Sequence, residues 1–411
     1  MTTPPTIKIE DPFADRPQPA SNFALFNYGF RPFFFLAGLF AVISVPMWVG
    51  LFAGHLDMAL VANPVLWHGH EMLFGFATAA IAGFFLTVVP NWTKVKATRG
   101  PVLMALAALW LIGRVAFWTQ AIIPYGLVIA ADMLFLIALT ATVIRPLIDP
   151  QHRRQFLFVP ILLVLIAANA MTHLGILDVD IFDLDWGARG LVLGIDVVIV
   201  LIVVMGGRVT PSFTSSYLGH GDPAIKVRQN PQLDRAVLWA TWAVLVADQL
   251  VFETPIAGGV ALIAGVLHAV RLAGWQGHRT LGNPILWVLH LAYGWLVVGL
   301  VLKGLGGFDL FRPNDVLHAL TIGAMGTYIL GIMSRASLGH TGRVIDAAPL
   351  TVVAYVLVSA SALARLAVIV FPSLTLEWVM ISGLAWCVAF LAFMVVYAPI
   401  LMRPRIDGRP G

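Results

Sequence analysis

The sequence predicts an all-α fold, a polytopic membrane helical bundle of about twelve transmembrane helices, and three observations predict it. The 411-residue chain is 59% hydrophobic and 11% charged, with a mean hydropathy of +0.89, whereas soluble domains carry charge on about a quarter of their residues. Apolar runs of about 17–25 residues, each able to cross roughly 30 Å of hydrocarbon, recur from Phe30 to Met402. The connections between them are short and rich in Pro, Gly and charge, which leaves little room for a soluble domain.

Taken in order, the expected spans are 31–54, 66–90, 101–119, 124–145, 157–177, 187–207, 236–252, 256–273, 284–302, 315–334, 349–371 and 376–401. The first follows a polar, Pro-rich stretch that lacks the short basic start of a signal peptide, so it is expected to stay as a membrane helix. An even number of crossings puts both termini on one side. With that side cytoplasmic, the inner loops collect Lys94, Lys96, Arg99, Arg145, Arg153, Arg154, Arg208, Lys226, Arg228, Arg235, Arg271, Arg279, Arg335, Arg343, Arg403, Arg405 and Arg409, while the outer loops hold little beyond Lys303 and Arg312 and include "DVDIFDLD" at 178–185. This is the positive-inside pattern. It predicts a cytoplasmic segment 1–30, a single transmembrane domain 31–402 and a cytoplasmic tail 403–411. The sequence pI near 9.4 is then a topology signal and implies no nucleic-acid partner; the partner is the lipid membrane. The single cysteine, Cys387, lies in the last span, so an intrachain disulfide is excluded and a metal here relies mainly on histidine.

Ionisable side chains inside spans cost several kcal/mol on insertion scales, so they usually face the bundle interior and mark a site. Here they are His68, His70, Glu71, Arg114, Asp132, His173, Asp196, Asp248, His268, His290, Asp315, His318 and Arg365. By span direction His68, His70, His173 and His318 share a layer near the outer leaflet. His68 and His70 are two residues apart, so on regular helix they point about 200° away from each other and do not ligate the same metal.

An internal echo favours His70. It is followed at +5, +9 and +13 by Gly75, Ala79 and Gly83, and His318 by Gly323, Thr327 and Gly331 at the same offsets. Such grooves let a neighbouring helix, or a flat ring, approach the backbone. Half the shift carries Gly83 onto Gly207, and "PNWT" at 90–93 resembles "PSFT" at 211–214, which suggests three units of four helices with the histidine missing from the middle one. Twelve helices so arranged, with histidines near the outer ends of the second and tenth, resemble the catalytic subunits of haem-copper oxidases and nitric oxide reductases. That resemblance implies haem ligation by His70 and His318. It stops there: the seventh helix has no paired histidines, the tenth no His-x-His and the sixth no His-x-x-x-Tyr.

The stretches "NYGFRPFF" (27–34), "WHGHEMLFGF" (67–76), "GFFLTVVPNWT" (83–93), "GRVTPSFT" (207–214), "NPILWVLHLAYGWL" (283–296) and "SRASLGHTGR" (334–343) together resemble the NnrS family. The resemblance implies a protein of the bacterial inner membrane that holds haem, b-type, and copper, is tied to denitrification and nitrosative stress, and has nitric oxide as its partner. The resemblance does not name the ligands; because a bundle-core copper site needs about three convergent imidazoles from different spans, His290, with His268 or His173, would hold the second metal, with His68 a further candidate. Arg189 and Arg365, like Arg114, would meet haem propionates or pair with Asp132, Asp196 or Asp248. Glu71 and Asp315 would steady the imidazoles, and Glu71 and Asp196 would relay protons. Each has a plainer alternative: a histidine bonded to an interfacial carbonyl, a buried ion pair, or, for "SRASLGHTGR", a basic anchor with a tight turn. Two classes of function follow: a nitric oxide reductase-like enzyme, or a non-catalytic nitric oxide or redox sensor or metal- or haem-handling protein.

Overall fold

The structure, a computed structural model, describes residues 23–179, 182–220 and 227–408. Most of the expected N-terminal segment, part of "DVDIFDLD", Lys226 and Arg409 lie outside those residues. The described residues form twelve long helices: α1 (Phe30–Phe52), α2 (Pro64–Thr93), α3 (Pro101–Trp118), α4 (Tyr125–Leu147), α5 (Phe158–Ile176), α6 (Trp186–Leu218), α7 (Pro231–Leu250), α8 (Pro255–Gly274), α9 (Pro284–Gly306), α10 (Pro313–His340), α11 (Pro349–Val370) and α12 (Thr375–Met402). Seven begin on proline, whose fixed φ and missing N–H suit a first helical position. Asn63, Asn230 and Thr254 then cap the free N–H groups ahead of three of these prolines.

Eleven of the helices are long and apolar enough to cross a membrane. The exception is α7, a 20-residue helix that carries Asp234, Arg235 and Asp248. Burial sorts the rest. In α2 and α6, 83% of the most apolar stretch is buried, and in α10 72%, against 39–61% elsewhere. The three longest, most enclosed helices apart from α12 are therefore the second, sixth and tenth, the positions related by the echo. The other helices cover them and present leucine, valine and isoleucine outward, as at Leu111, Ile263, Val353 and Leu384.

The echo extends to the backbone. A π-helical stretch begins directly after each histidine, Glu71–Ala77 in α2 and Ala319–Gly326 in α10. Such wide turns occur mostly as single-turn insertions, frequently at functional sites. The small residues after each histidine receive neighbouring helices, not a ring ligand. A Cβ on Gly75 would lie 2.6 Å from the Phe40 ring of α1, and one on Gly323 would lie 2.7 Å from the Trp295 ring of α9.

One end of the bundle is fastened by the two ends of the described chain. Ala24 N donates to Met402 O at 2.7 Å, and the buried Arg31 donates to Leu401 O at 2.8 Å and to Arg403 O at 2.7 Å. Arg405 reaches His340 O at 2.6 Å, and the His340 ring lies 5.4 Å from that of Phe30. "NYGFRPFF" and "SRASLGHTGR" thus tie α1, α10 and α12 together, and the first and last described residues share an end.

Candidate functional site

The first turns of α2 present His68 and His70 to opposite sides, and each side holds a site. His70 is fully buried against Phe117, whose ring stacks on it at 3.7 Å and 15°. Its Nδ1 faces Glu71 Oε1 at 3.1 Å, and its Nε2 lies 3.2 Å from Asp132 Oδ2 and 3.0 Å from Asn169 Oδ1. From α5, His173 Nε2 approaches the same Asp132 Oδ2 at 3.0 Å, and its Nδ1 meets the Tyr125 hydroxyl at 3.0 Å. Asn169 Nδ2 donates to Asp132 Oδ2 at 2.7 Å. Arg114 of α3 bridges Glu71 and Asp132, and Trp118 Nε1 also donates to Glu71.

These partners set the chemistry. Both Nδ1 atoms are held by outer groups, so both Nε2 atoms turn inward, the usual way imidazoles are oriented toward a metal. His70, Asp132 and His173 offer ligand atoms all within 4.8 Å of one another. Two buried carboxylates face one guanidinium here, so a further positive charge belongs at the centre: protons on the imidazoles, or a metal ion in their place. Two imidazoles and a carboxylate suit a first-row transition ion such as copper, iron or zinc. The residues fit a metal.

His68 looks the other way, into a cavity of about 280 Å³ whose walls are mostly apolar, with His318 and Arg365 also in the lining. The His68 ring stacks on Trp48 at 4.1 Å and 25° and has no hydrogen-bond partner among the described residues. His318 donates Nδ1–H to Asn314 O at 3.2 Å, which orients the ring and leaves Nε2 its lone pair. Arg365 Nη1 lies 3.7 Å from Asp315 Oδ1, too long for a hydrogen bond, and its Nε and Nη1 are buried without hydrogen-bond partners. A mostly apolar cavity lined by two imidazoles and by a guanidinium whose Nε and Nη1 lack acceptors is compatible with an apolar ring bearing carboxylates, as haem is.

The family model described as "NnrS protein" matches residues 24–405. The chain belongs to the NnrS family. No curated protein matches it. NnrS membership supports a membrane protein of the nitric oxide response, and the His70, Asp132 and His173 cluster is compatible with metal binding.

In this NnrS chain the remaining sequence-derived candidates are dispersed. His70 and His318 are not brought together: each lies in a different site, and His318 has His68 for a neighbour because the helix turns those two residues apart. His173 joins His70, away from His290 and His268. His268 is saturated by Thr241 Oγ1 at 3.0 Å and the Tyr293 hydroxyl at 2.8 Å, and His290 pairs with Thr214 Oγ1 at 2.9 Å. Neither belongs to a metal-like group among the described residues. Arg189 donates to Gln249 O at 2.7 Å and lies over the Phe252 ring, outside the His68 cavity. Asp196 pairs with Lys303 at 3.0 Å.

Sequence reasoning passed over Asn169 and Tyr125, counted Lys303 only as an outer-loop charge, and gave Asp132, one of the in-span ionisable groups, no role beyond ion pairing. Asn169 and His173 stand four residues apart on α5, a one-face spacing that was available as a signal. Tyr125 and Lys303 sit at helix ends, where a polar residue is ordinary.

Proposed function

We propose that this chain is a haem- and copper-containing protein of the bacterial inner membrane that binds nitric oxide and reduces it to nitrous oxide, with both termini cytoplasmic and residues 31–402 as one transmembrane domain. The observation that carries the reading is the buried convergence of His70, Asp132 and His173, with both imidazoles held from behind by Glu71 and Tyr125. These three residues would hold the copper. His68 and His318 would hold the haem, with Arg365 supplying its charge partner. This differs from a haem held by His70 and His318, because the residue pairs that share a site are the ones stated above.

When bound, such groups supply open coordination for a small diatomic and a relay for single electrons. The chain's own residues do the rest. Phe117, Phe74 and Trp48 keep the two sites apolar, and nitric oxide is itself small and apolar, so it reaches both through lipid. Arg114 holds Glu71 and Asp132 as carboxylates in place. The overall reaction takes two nitric oxide molecules, two electrons from an external donor and two protons to nitrous oxide and water.

One observation favours the alternative of a non-catalytic sensor or a metal- or haem-handling protein. The π-helical stretches after His70 and His318 are places where a helix changes register at small cost, so ligand binding there would move α2 and α10. Purified protein separates the readings. Stoichiometric haem and copper, a spectral change on adding nitric oxide and steady nitrous oxide formation with an electron donor support the enzyme. Spectral change without nitrous oxide selects the sensor. Full copper content in His70→Ala and His173→Ala overturns the copper assignment, and unchanged haem spectra in His68→Ala and His318→Ala overturn the haem assignment.

A further inference from the structure

The end of the bundle opposite the fastened termini opens into a second cavity, of about 440 Å³. Its charged lining is Asp248 of α7, Lys303 of α9, Asp185 ahead of α6 and Glu253 between α7 and α8; α2, α8 and α10 contribute no charged side chain to it. It shares Val65, Leu191, Asn314 and Leu317 with the wall of the His68 and His318 cavity, so the two spaces are neighbours across one layer of side chains.

Behind Asp248 and Lys303 lies Asp196 of α6. Lys303 Nζ contacts Asp196 Oδ1 at 3.0 Å and also pairs with Asp248. Asp196 and Asp248 are 4% and 5% exposed, and Asp196 Oδ2 is buried with no hydrogen-bond donor. Both carboxyl groups therefore converge on one ammonium. An ionised carboxylate only accepts, so an oxygen left without a donor is relieved when the group itself carries a proton. One ammonium between them also leaves a negative charge uncompensated where water is scarce. A single proton answers both needs, because it supplies the missing donor and makes the trio neutral, the arrangement of two adjoining carboxyls sharing one proton.

We propose that Asp196 and Asp248 share one proton, balanced by Lys303, and that this dyad exchanges it with the 440 Å³ cavity, making it the entry point for protons that nitric oxide reduction consumes. The proposal rests on that reading for its purpose but not for its test. The proton moves between carboxyl oxygens and cavity water; no bond to carbon or nitrogen changes and no electron is transferred. Asp185 and Glu253 form the acidic mouth that gathers protons, and Lys303 is a positioning residue.

Infrared spectra of the purified holoprotein in light and heavy water test it. Wild type is expected to show a protonated-carboxyl C=O band that shifts on deuterium exchange, with the intensity of one group lost in Asp196→Asn and in Asp248→Asn and kept in Asp185→Asn. Lys303→Met removes the balancing charge and should add the intensity of a second protonated carboxyl. If the asparagine variants do not fold, the Lys303→Met comparison carries the test alone. A spectrum unchanged in Asp196→Asn and Asp248→Asn, or no gain in Lys303→Met, overturns the dyad. The band needs no turnover, so protein that forms nitrous oxide without it sinks only the dyad, and protein that has the band but makes no nitrous oxide supports the dyad and sinks the functional reading.

Discussion

His68 and His70 are separated by one glycine and serve two unlike environments. On the His70 side every ring nitrogen has a partner, two carboxylates share Arg114, and an aromatic ring closes the face. On the His68 side there is open volume, an imidazole with no hydrogen-bond partner among the described residues, and a guanidinium whose Nε and Nη1 lack partners. The difference separates two ways of holding a ligand. The closed cluster is stabilised by its own hydrogen bonds, so it belongs to the fold's stability as well as offering ligand atoms within 4.8 Å of one another. The open one leaves Arg365 Nε and Nη1 without acceptors beside a cavity of about 280 Å³, the features from which the proposed haem site is argued.

The largest expected effect follows from that contrast. Arg114→Met leaves Glu71 and Asp132 buried without their cation, which should cost about 3–5 kcal/mol, read as a lowered unfolding transition in detergent. Arg365→Met should lower the same transition much less, because Arg365 Nε and Nη1 have no hydrogen-bond partners to lose and Asp315 stands 3.7 Å away, yet should lower haem content. Equal effects of the two variants on unfolding would break the comparison.

Next in size, Tyr125→Phe removes the group behind His173 Nδ1. Copper affinity should fall about 10–100-fold, as when an outer partner of a ligand is removed, while the haem spectrum stays unchanged. A competitive chelator titration measures the first, and a simultaneous loss of haem would show that the two sites are not independent.

Gly323→Ala should cost about 1–3 kcal/mol through overpacking, since its Cβ would meet the Trp295 ring at 2.7 Å. An unfolding curve identical to wild type would mean that α10 and α9 are not packed as described.

The smallest effect concerns Glu253, in the loop between α7 and α8. Burial, then Asp185 and Asp248, raise its carboxyl above the usual value. A raised carboxyl favours the protonated form in the fold, so its stabilising contribution is present in acid and is lost as pH rises from the ordinary carboxylate range through the raised value. Glu253→Gln should therefore leave the unfolding transition unchanged in acid and raise it slightly near neutrality. A rise in acid instead would reverse the assigned sign.

Much of this was legible in the sequence. Eleven of the twelve expected spans match helices long and apolar enough to cross a membrane, because hydrocarbon sets a minimum apolar length; the span expected at 236–252 is a helix, α7, outside those eleven. The echo between His70 and His318 was real as a pattern, and it marks two of the three most enclosed helices and the start of each π-helical stretch. Its meaning was not legible. Matching positions in two repeats predict matching depth, not a shared site, and the small-residue grooves turned out to receive Phe40 and Trp295.

By itself the sequence determined that this is a many-helix membrane protein of the NnrS family with imidazoles and carboxylates kept inside the bundle, because the penalty for placing them in lipid depends only on composition along each span. Tertiary structure alone decided which of those groups meet. Azimuth around a helix, shifted by the π turns, put His70 with Asp132 and His173 from α4 and α5, gave His68 the company of His318 and Arg365, and left His268 and His290 to Thr241 and Thr214. Contacts between helices far apart in the chain depend on how whole faces pack, and no local run of residues encodes that.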